Sequence, residues 1–171
     1  MMRPVILLIF CLFLPLSPLL NAREIKLSAV TGTATGDVQK VGFRAHIFKA
    51  AIRYNLAGTV NNNPDGSVSF TLQGDSQRVK KTLKEVGEGS KHSQVSEVTS
   101  QPSELITGMN TFTVYGWTSH TRDISTPYNL VFTLRSDDSL ISEKNAKKVY
   151  YQILENTLQG EDKDKIKKHR L

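Results

Sequence analysis

Cysteine is almost absent from the chain: its 171 residues include one, Cys11, inside an apolar run near the N-terminus. Because we expect that run to be cleaved off, the mature chain would hold no thiol for a disulfide or a cysteine-bound metal. The four histidines are scattered, with no pair at helical spacing and no evident carboxylate partner. The sequence also lacks the glycine-rich fingerprints of dinucleotide and nucleoside triphosphate sites. These absences predict a function that uses no cofactor and no metal.

Long hydrophobic runs are also lacking. The one marked apolar run, residues 5–14, follows Arg3, precedes Pro15 and Pro18, and leads to the small residue Ala22. It is shorter than the roughly 20 apolar residues that a membrane span needs. The order of basic, apolar and small residues is typical of a secretory signal. We therefore expect residues 1–22 to be a signal peptide cleaved after Ala22, and the mature protein to be secreted or periplasmic without a stable membrane anchor. An uncleaved anchor is the alternative.

Positive charge exceeds negative charge, with 22 Lys and Arg against 16 Asp and Glu. A positive field of this size favours anionic ligands without identifying them. Much of the excess lies in residues 159–171, which we interpret as a flexible basic tail. Nucleic-acid binding is disfavoured, because the lysines lack interleaved aromatic residues on one strand face.

Residues 36–44 connect a segment of alternating polarity to one of helical spacing, and they end in Arg44. Such a loop can turn several backbone N–H groups inward, and the following helix adds its own unpaired N–H groups and positive dipole end. These features bind anions. An arginine adds a planar fork of donors that matches phosphate or carboxylate oxygens. The alternative is an ordinary strand-to-helix connection whose arginine is solvated.

The first half of the chain predicts the order β-α-β-β-α-β. Residues 24–35 alternate as a strand, with Ile25, Leu27 and Ala29 on the buried face. Apolar spacing predicts a helix over residues 44–56 and another after Asp75, with a β-hairpin between them that turns at residues 63–66. Strands are expected at 94–99 and 110–117. This is the α+β arrangement in which two helices cover one face of a four-stranded antiparallel sheet.

The last strand of this set has two predicted faces, with Phe112 and Val114 on one, and Thr113, Tyr115 and Trp117 on the other. The chain then continues beyond a minimal domain. Residues 128–135 alternate as a strand, and residues 139–158 have helical spacing. We therefore divide the mature chain into a domain at 23–117, a C-terminal strand-helix extension at 118–158 and the tail at 159–171. We expect the extension to dock on the sheet, either at an edge or over the open face.

Several motifs agree in order and spacing with one known family. The pattern Gly36-x-Val38-Gln39-x-Val41-Gly42-Phe43-Arg44 is followed by Gly58-x-Val60-x-Asn62, by Asp65-Gly66 and by Val68-x-x-x-x-Gln73-Gly74. This combination resembles the acylphosphatase family over about residues 24–117.

The resemblance implies a ferredoxin-like fold and metal-free hydrolysis of the carboxyl-phosphate bond of small acyl phosphates, giving carboxylate and phosphate. It implies that Arg44 and the loop hold the phosphate and that Asn62 orients the attacking water. The implied loop residues are Val38, Gln39, Lys40, Val41, Gly42 and Phe43. The resemblance also makes residues 94–102 the penultimate strand and residues 111–115 the last.

Lys40 departs from the family pattern, which usually has glycine at that position. If the position needs a positive φ, lysine would cost on the order of 1 kcal/mol. Lys40 also adds a positive charge beside the expected anion. The alternative function is therefore a non-catalytic anion-binding or protein-binding module of the cell envelope. We expect a monomer that binds no nucleic acid.

Overall fold

The computed structural model describes residues 25–119 and 124–158. The predicted signal peptide at 1–22 and the basic tail at 159–171 lie outside these described residues. The described residues form six strands and three helices: β1 (Leu27–Asp37), α1 (Phe43–Tyr54), β2 (Ala57–Asn62), β3 (Val68–Asp75), α2 (Ser76–Glu88), β4 (Gln94–Ser103), β5 (Thr111–Ser119), β6 (Ile124–Thr133) and α3 (Glu143–Thr157). In the described part of the chain, no helix has the length and apolar character needed to cross a membrane.

The strands form one sheet in the order β4-β1-β3-β2-β5-β6. β4, β1, β3 and β2 are antiparallel neighbours, which confirms the predicted four-stranded sheet. β5 continues the sheet parallel to β2, and β6 pairs antiparallel with β5. The extension therefore lengthens one edge of the sheet, which is the first of the two docking modes that the sequence left open.

The hydrophobic core is shared between the predicted domain and the extension. Phe48 on α1 is fully buried and lies between two other rings. Its ring centroid is 5.9 Å from that of Phe112 on β5 and 6.2 Å from that of Tyr150 on α3. Burying an aromatic side chain of this size stabilises the fold by about 1.5–3 kcal/mol. One core thus joins α1, the sheet and α3.

The buried face of β1 differs from the prediction. Ile25 and Leu27 are 61% and 55% exposed, so the expected buried face is wrong at these two residues. Ala29 is buried as expected, but it lies outside the main core cluster. Gly32 is paired with Phe70 on β3, and a Cβ added at Gly32 would lie 2.5 Å from the Phe70 ring. The face that carries Gly32 is therefore the core face. The alternation of β1 was predicted correctly, but the wrong set of alternate residues was assigned to the core. The small residues on the core face made that face look less hydrophobic than the other.

The faces of β5 were also predicted incorrectly at one residue. Trp117 is buried with Phe112 and Val114, although it was expected on the opposite face. The pairing of β5 with β6 shifts between Val114 and Trp117, and Gly116 there has a φ of 56°. An extra residue in one strand is a β-bulge, and it moves every later side chain to the other face. The bulge explains why a three-residue step separates Val114 from Trp117.

Polar contacts hold the extension against the end of α1. Asn55, which ends α1, is buried and exchanges two hydrogen bonds with the backbone of Arg135. Its Nδ2 donates to the Arg135 carbonyl at 3.1 Å, and its Oδ1 accepts from the Arg135 N–H at 2.8 Å. Arg135 Nη1 in turn donates to the Ile52 carbonyl at 2.8 Å. These bonds attach the segment that follows β6 to the C-terminal end of α1. The predicted loop lies at the other end of this helix.

Candidate functional site

The loop between β1 and α1 has an alternating backbone conformation. Lys40 has a φ of 63° and Gly42 a φ of 79°, whereas the intervening Val41 does not have a positive φ. Alternation of left-handed and right-handed residues turns successive N–H groups toward one concave side, the arrangement called a nest. The backbone at Lys40 therefore does adopt a positive φ, the condition under which the family's usual glycine would be favoured over lysine. The loop is therefore shaped to bind an anion through its backbone.

The N-terminus of α1 adds further donors to this loop. The first intrahelical hydrogen bond runs from the His46 N–H to the Gly42 carbonyl at 3.0 Å. The N–H groups of the three residues between them precede that bond and are left for an external acceptor. Gly42 is the N-cap, and no side chain of the described residues caps the helix. The positive end of the helix dipole and these N–H groups together favour a bound anion.

The loop is fastened to the β2–β3 hairpin by the side chain of Gln39. Its Nε2 donates to the carbonyls of Asn63 and Ser67, each at 2.8 Å. Val38 and Phe43, which flank the loop, are each 1% exposed and belong to the core. These three predicted loop residues can therefore offer an anion only their backbone N–H groups. Their side chains fix the loop instead.

Arg44 lies in the first turn of α1, and its side chain reaches the bulge in the middle of β5. Its Nη1 donates to the Tyr115 carbonyl at 2.6 Å and to the Gly116 carbonyl at 3.0 Å. Burial lowers the pKa of the Arg44 guanidinium below its ordinary value. Within the described part of the chain, the Nε and Nη2 donors of Arg44 have no hydrogen-bond partner. The side chain is thus oriented by one nitrogen and keeps the other two available.

Asn62 is the last residue of β2, and its side chain is not committed to the fold. Its Oδ1 is buried and makes no hydrogen bond with any described residue. The neighbouring Asn63 is engaged in the turn, because its Nδ2 donates to Ser67 Oγ at 2.8 Å and its Oδ1 accepts from Ser69 Oγ at 3.1 Å. Asn61 is exposed. Of the three consecutive asparagines, Asn62 alone has a buried oxygen without a partner, and such oxygens require a water or a ligand.

Strand pairing brings Asn62 to the same end of the sheet as the partners of Arg44. β2 and β5 run parallel with Val60 opposite Val114, so the next two residues of each strand lead to Asn62 and Gly116. Gln39 holds the loop against Asn63, the residue after Asn62. The loop, Arg44 and Asn62 therefore lie at the same end of the sheet. In residues 25–119 and 124–158, no cluster of His, Cys, Asp or Glu suitable for a metal is present.

The sequence did not predict the contacts that orient Arg44. The carbonyls of Tyr115 and Gly116 accept from its side chain, and Asn129 Oδ1 on β6 accepts from the Gly116 N–H at 3.1 Å. The available signal was the step from Val114 to Trp117 with a glycine between them, which is typical of a bulge.

The chain is an α+β protein in which a strand-loop-helix nest and an arginine in the first helical turn form a geometry that favours anions. A sequence profile of the acylphosphatase family matches residues 30–114. An acylphosphatase of Bacillus velezensis is 37% identical over 81 residues, which cover 47% of this chain and 90% of that protein. An acylphosphatase of Methanocella arvoryzae is 39% identical over 72 residues, which cover 42% of this chain and 82% of that protein. The chain belongs to the acylphosphatase family.

A solved structure supports the same fold. The acylphosphatase from Coxiella burnetii superposes with a TM-score of 0.50 at 26% identity, over 55% of this chain and 98% of that chain. β6 and α3 lie beyond the residues that the family profile matches.

Proposed function

We propose that the protein hydrolyses the carboxyl-phosphate bond of small acyl phosphates, with Arg44 and the 38–43 loop holding the phosphate and Asn62 orienting the attacking water. The observation that carries this proposal is the buried, unpartnered Oδ1 of Asn62 at the sheet end that also holds Arg44. An amide oxygen can accept a hydrogen bond from a water and fix its orientation, although it has too little basicity to remove a proton.

The reaction needs positioning and charge stabilisation more than acid-base chemistry. The water oxygen bonds to phosphorus, the bond from phosphorus to the acyl oxygen breaks, and the carboxylate leaves with that electron pair. The attacking oxygen keeps one proton of the water and the other passes to a phosphate oxygen, so both protons end on the phosphate product. The nest and the free Nε and Nη2 of Arg44 would stabilise charge on the three equatorial oxygens. Because a carboxylate is a good leaving group, the site needs no strong general acid.

The test compares three variants in the hydrolysis of benzoyl phosphate. We expect Arg44→Ala to lose all measurable activity and Asn62→Ala to lose about 10²–10³-fold in kcat, the effect of losing a positioned reactant. Asn61→Ala is the matched control, because the exposed neighbouring asparagine should be dispensable. Wild-type protein that is no faster than buffer would refute the proposal.

A second candidate function is a non-catalytic anion-binding module of the cell envelope. It is favoured by Lys40, which holds a left-handed conformation that lysine rarely adopts and adds a charge to the loop. Isothermal titration with inorganic phosphate separates the two functions. Phosphate binding together with no turnover would support the binding module, and turnover would exclude it.

We also propose export of the protein, on the basis of residues 1–22. The mass of the protein recovered from a fractionated cell tests this proposal. A mature chain that begins at Arg23 in the periplasmic or secreted fraction is expected, and an intact N-terminus in the cytoplasmic fraction would contradict it.

A further inference from the structure

We propose that Asn129, on β6 of the extension, is a positioning residue for Arg44. This inference rests on the proposed function, since it gives the extension a part in holding the phosphate-binding arginine. β6 and α3 lie outside the residues that the family profile matches, and nothing in the motifs assigns them a role. The structure connects Asn129 to Arg44 through the backbone of Tyr115 and Gly116.

The connection consists of three hydrogen bonds around Gly116. Asn129 Oδ1 accepts from the Gly116 N–H at 3.1 Å. On the other side, the carbonyls of Gly116 and Tyr115 accept from Arg44 Nη1 at 3.0 and 2.6 Å. The orientation of these two carbonyls therefore fixes the guanidinium, and Asn129 holds the peptide segment that carries them.

The bulge explains why a side chain is needed for this task. β5 pairs with β6 up to Val114 and again at Trp117, but Tyr115 and Gly116 have no partner in that ladder. In a regular antiparallel pair, one of these two residues would exchange its backbone hydrogen bonds with β6. Here the side chain of Asn129 replaces the missing backbone partner, and the carbonyls that the ladder leaves free are the ones that Arg44 uses.

The residues that the family profile matches end immediately before Tyr115 and Gly116. The profile covers residues 30–114, whereas both acceptors of Arg44 and the residue that holds them, Asn129, come later in the chain. In this protein the extension thus completes the support of an arginine that belongs to the matched domain. Without Asn129, Gly116 would bond water, and the two carbonyls would no longer be held in one orientation.

The experiment uses the purified protein and two substitutions on the same exposed face of β6. Asn129→Ala removes the acceptor, and Thr133→Ala is the control, since it truncates an exposed residue of β6 four positions away. We expect Asn129→Ala to weaken binding of inorganic phosphate and to lower kcat/KM for benzoyl phosphate by about 3–10-fold, the factor that one ordinary hydrogen bond supports. The loss should fall more on KM than on kcat, because Arg44 holds the phosphate before and during the reaction. Phosphate affinity and kcat/KM of Thr133→Ala should stay within about twofold of the wild-type values.

A third readout does not depend on activity. The Arg44 Nε–H signal in a ¹H–¹⁵N spectrum reports the order of the guanidinium directly. We expect that signal to broaden or shift toward the value of a solvated arginine in Asn129→Ala and to recover in Asn129→Asp, which restores an oxygen acceptor. Rescue is judged on this signal, because the added charge of aspartate by itself affects phosphate binding.

The outcomes separate the two proposals. A wild type that binds phosphate without turnover, together with weaker binding by Asn129→Ala, would refute hydrolysis and support the role of Asn129. If the wild type neither binds phosphate nor hydrolyses benzoyl phosphate, the Arg44 Nε–H signal alone decides whether Asn129 positions Arg44. The inference would be overturned if Asn129→Ala and Thr133→Ala showed the same Arg44 Nε–H signal and the same phosphate affinity.

Discussion

Lys40 is a residue at which this chain departs from the family pattern. Its φ of 63° is one that glycine adopts without strain and that costs other residues about 1–2 kcal/mol. The loop nevertheless keeps the alternating conformation of a nest, and Gln39 fastens it to the hairpin. The lysine therefore occupies the glycine conformation rather than changing the loop. Its charged side chain is exposed and is free to approach an anion.

Replacing Lys40 by glycine should have small effects on stability and turnover. Relief of backbone strain is offset by the greater freedom of glycine in the unfolded chain, so the free energy of unfolding should change by less than about 1 kcal/mol. We expect kcat to stay within about threefold and phosphate affinity to fall about 2–5-fold, because a surface charge contributes up to about 1 kcal/mol. Denaturant titration, kinetics and phosphate titration measure the three quantities.

Lys40→Gln is the matched control, because it removes the charge but keeps a side chain at this φ. The loss of phosphate affinity should be the same in both variants and should shrink at high salt. A kcat that rises more than tenfold in the glycine variant would contradict our interpretation and show that lysine distorts the loop.

At the scale of elements, the hairpin of β2 and β3 supports the loop from one side. The two hydrogen bonds from Gln39 cross from the loop to the carbonyls that flank the turn. We predict that Gln39→Ala loses about 1–2 kcal/mol of stability, since two hydrogen bonds of ordinary net strength disappear. It should also lower kcat/KM at least tenfold, because the nest is no longer held beside Asn62.

Gln73→Ala provides a matched control for Gln39→Ala. Gln73 also makes two side-chain hydrogen bonds to the backbone, both with Ile106, but they lie near the other end of β3. Its substitution should cost stability without lowering kcat/KM. Equal losses of activity in the two variants would mean that Gln39 acts only through global stability.

The turn of the same hairpin contains a carboxylate, Asp65, whose protonation should change the stability of the protein. Asp65 Oδ1 accepts from Ser67 Oγ at 2.6 Å and from the Ser67 N–H at 2.9 Å. These bonds, the side-chain one first, lower the pKa of Asp65 below its ordinary value of 3.8. A carboxyl group with a lowered pKa stabilises the fold above its ordinary pKa, and that contribution is lost as the pH falls through the lowered value.

We therefore expect the stability difference between wild type and Asp65→Asn to be constant above about pH 5 and to shrink below about pH 4. Asparagine keeps an acceptor oxygen but does not titrate. Denaturant titrations of both proteins across the acidic range up to neutral pH provide the measurement. A difference that grows toward acid pH would mean that folding raises the pKa of Asp65 instead of lowering it.

The parts of the fold that repeat along the chain were predictable from sequence, and those that break a repeat were not. Helical spacing and strand alternation predicted α1, the hairpin and α3, and the loop motif with Asn62 predicted the candidate site. The phase of β1 was misjudged because Gly32 carries no side chain to mark its face. The bulge at Gly116 was missed because alternation assumes a regular ladder. The bond from Arg44 to Tyr115 spans 71 positions, and no local pattern encodes it.

At the scale of the whole molecule, the extension and the family-matched domain share one core. α3 contributes the buried residues Tyr150 and Leu154, and α1 contributes Phe48, which contacts the Tyr150 ring. Asn55 and Arg135 add polar contacts at the end of α1. Neither part can be removed without exposing apolar surface of the other. The free energy of unfolding should therefore belong to the molecule as a whole.

We predict that Leu154→Ala destabilises the entire protein by about 2–5 kcal/mol, the usual cost of emptying a buried leucine site. Trp117, the single tryptophan, is buried on β5, so its fluorescence reports on the sheet while circular dichroism reports on the helices. In both wild type and variant, the two signals should change in one coincident transition, and the variant's midpoint should shift for both. Lys147→Ala, at an exposed position on the same helix, is the control and should shift neither. A loss of helical signal that precedes the tryptophan change would mean that α3 unfolds independently and that the core is not shared.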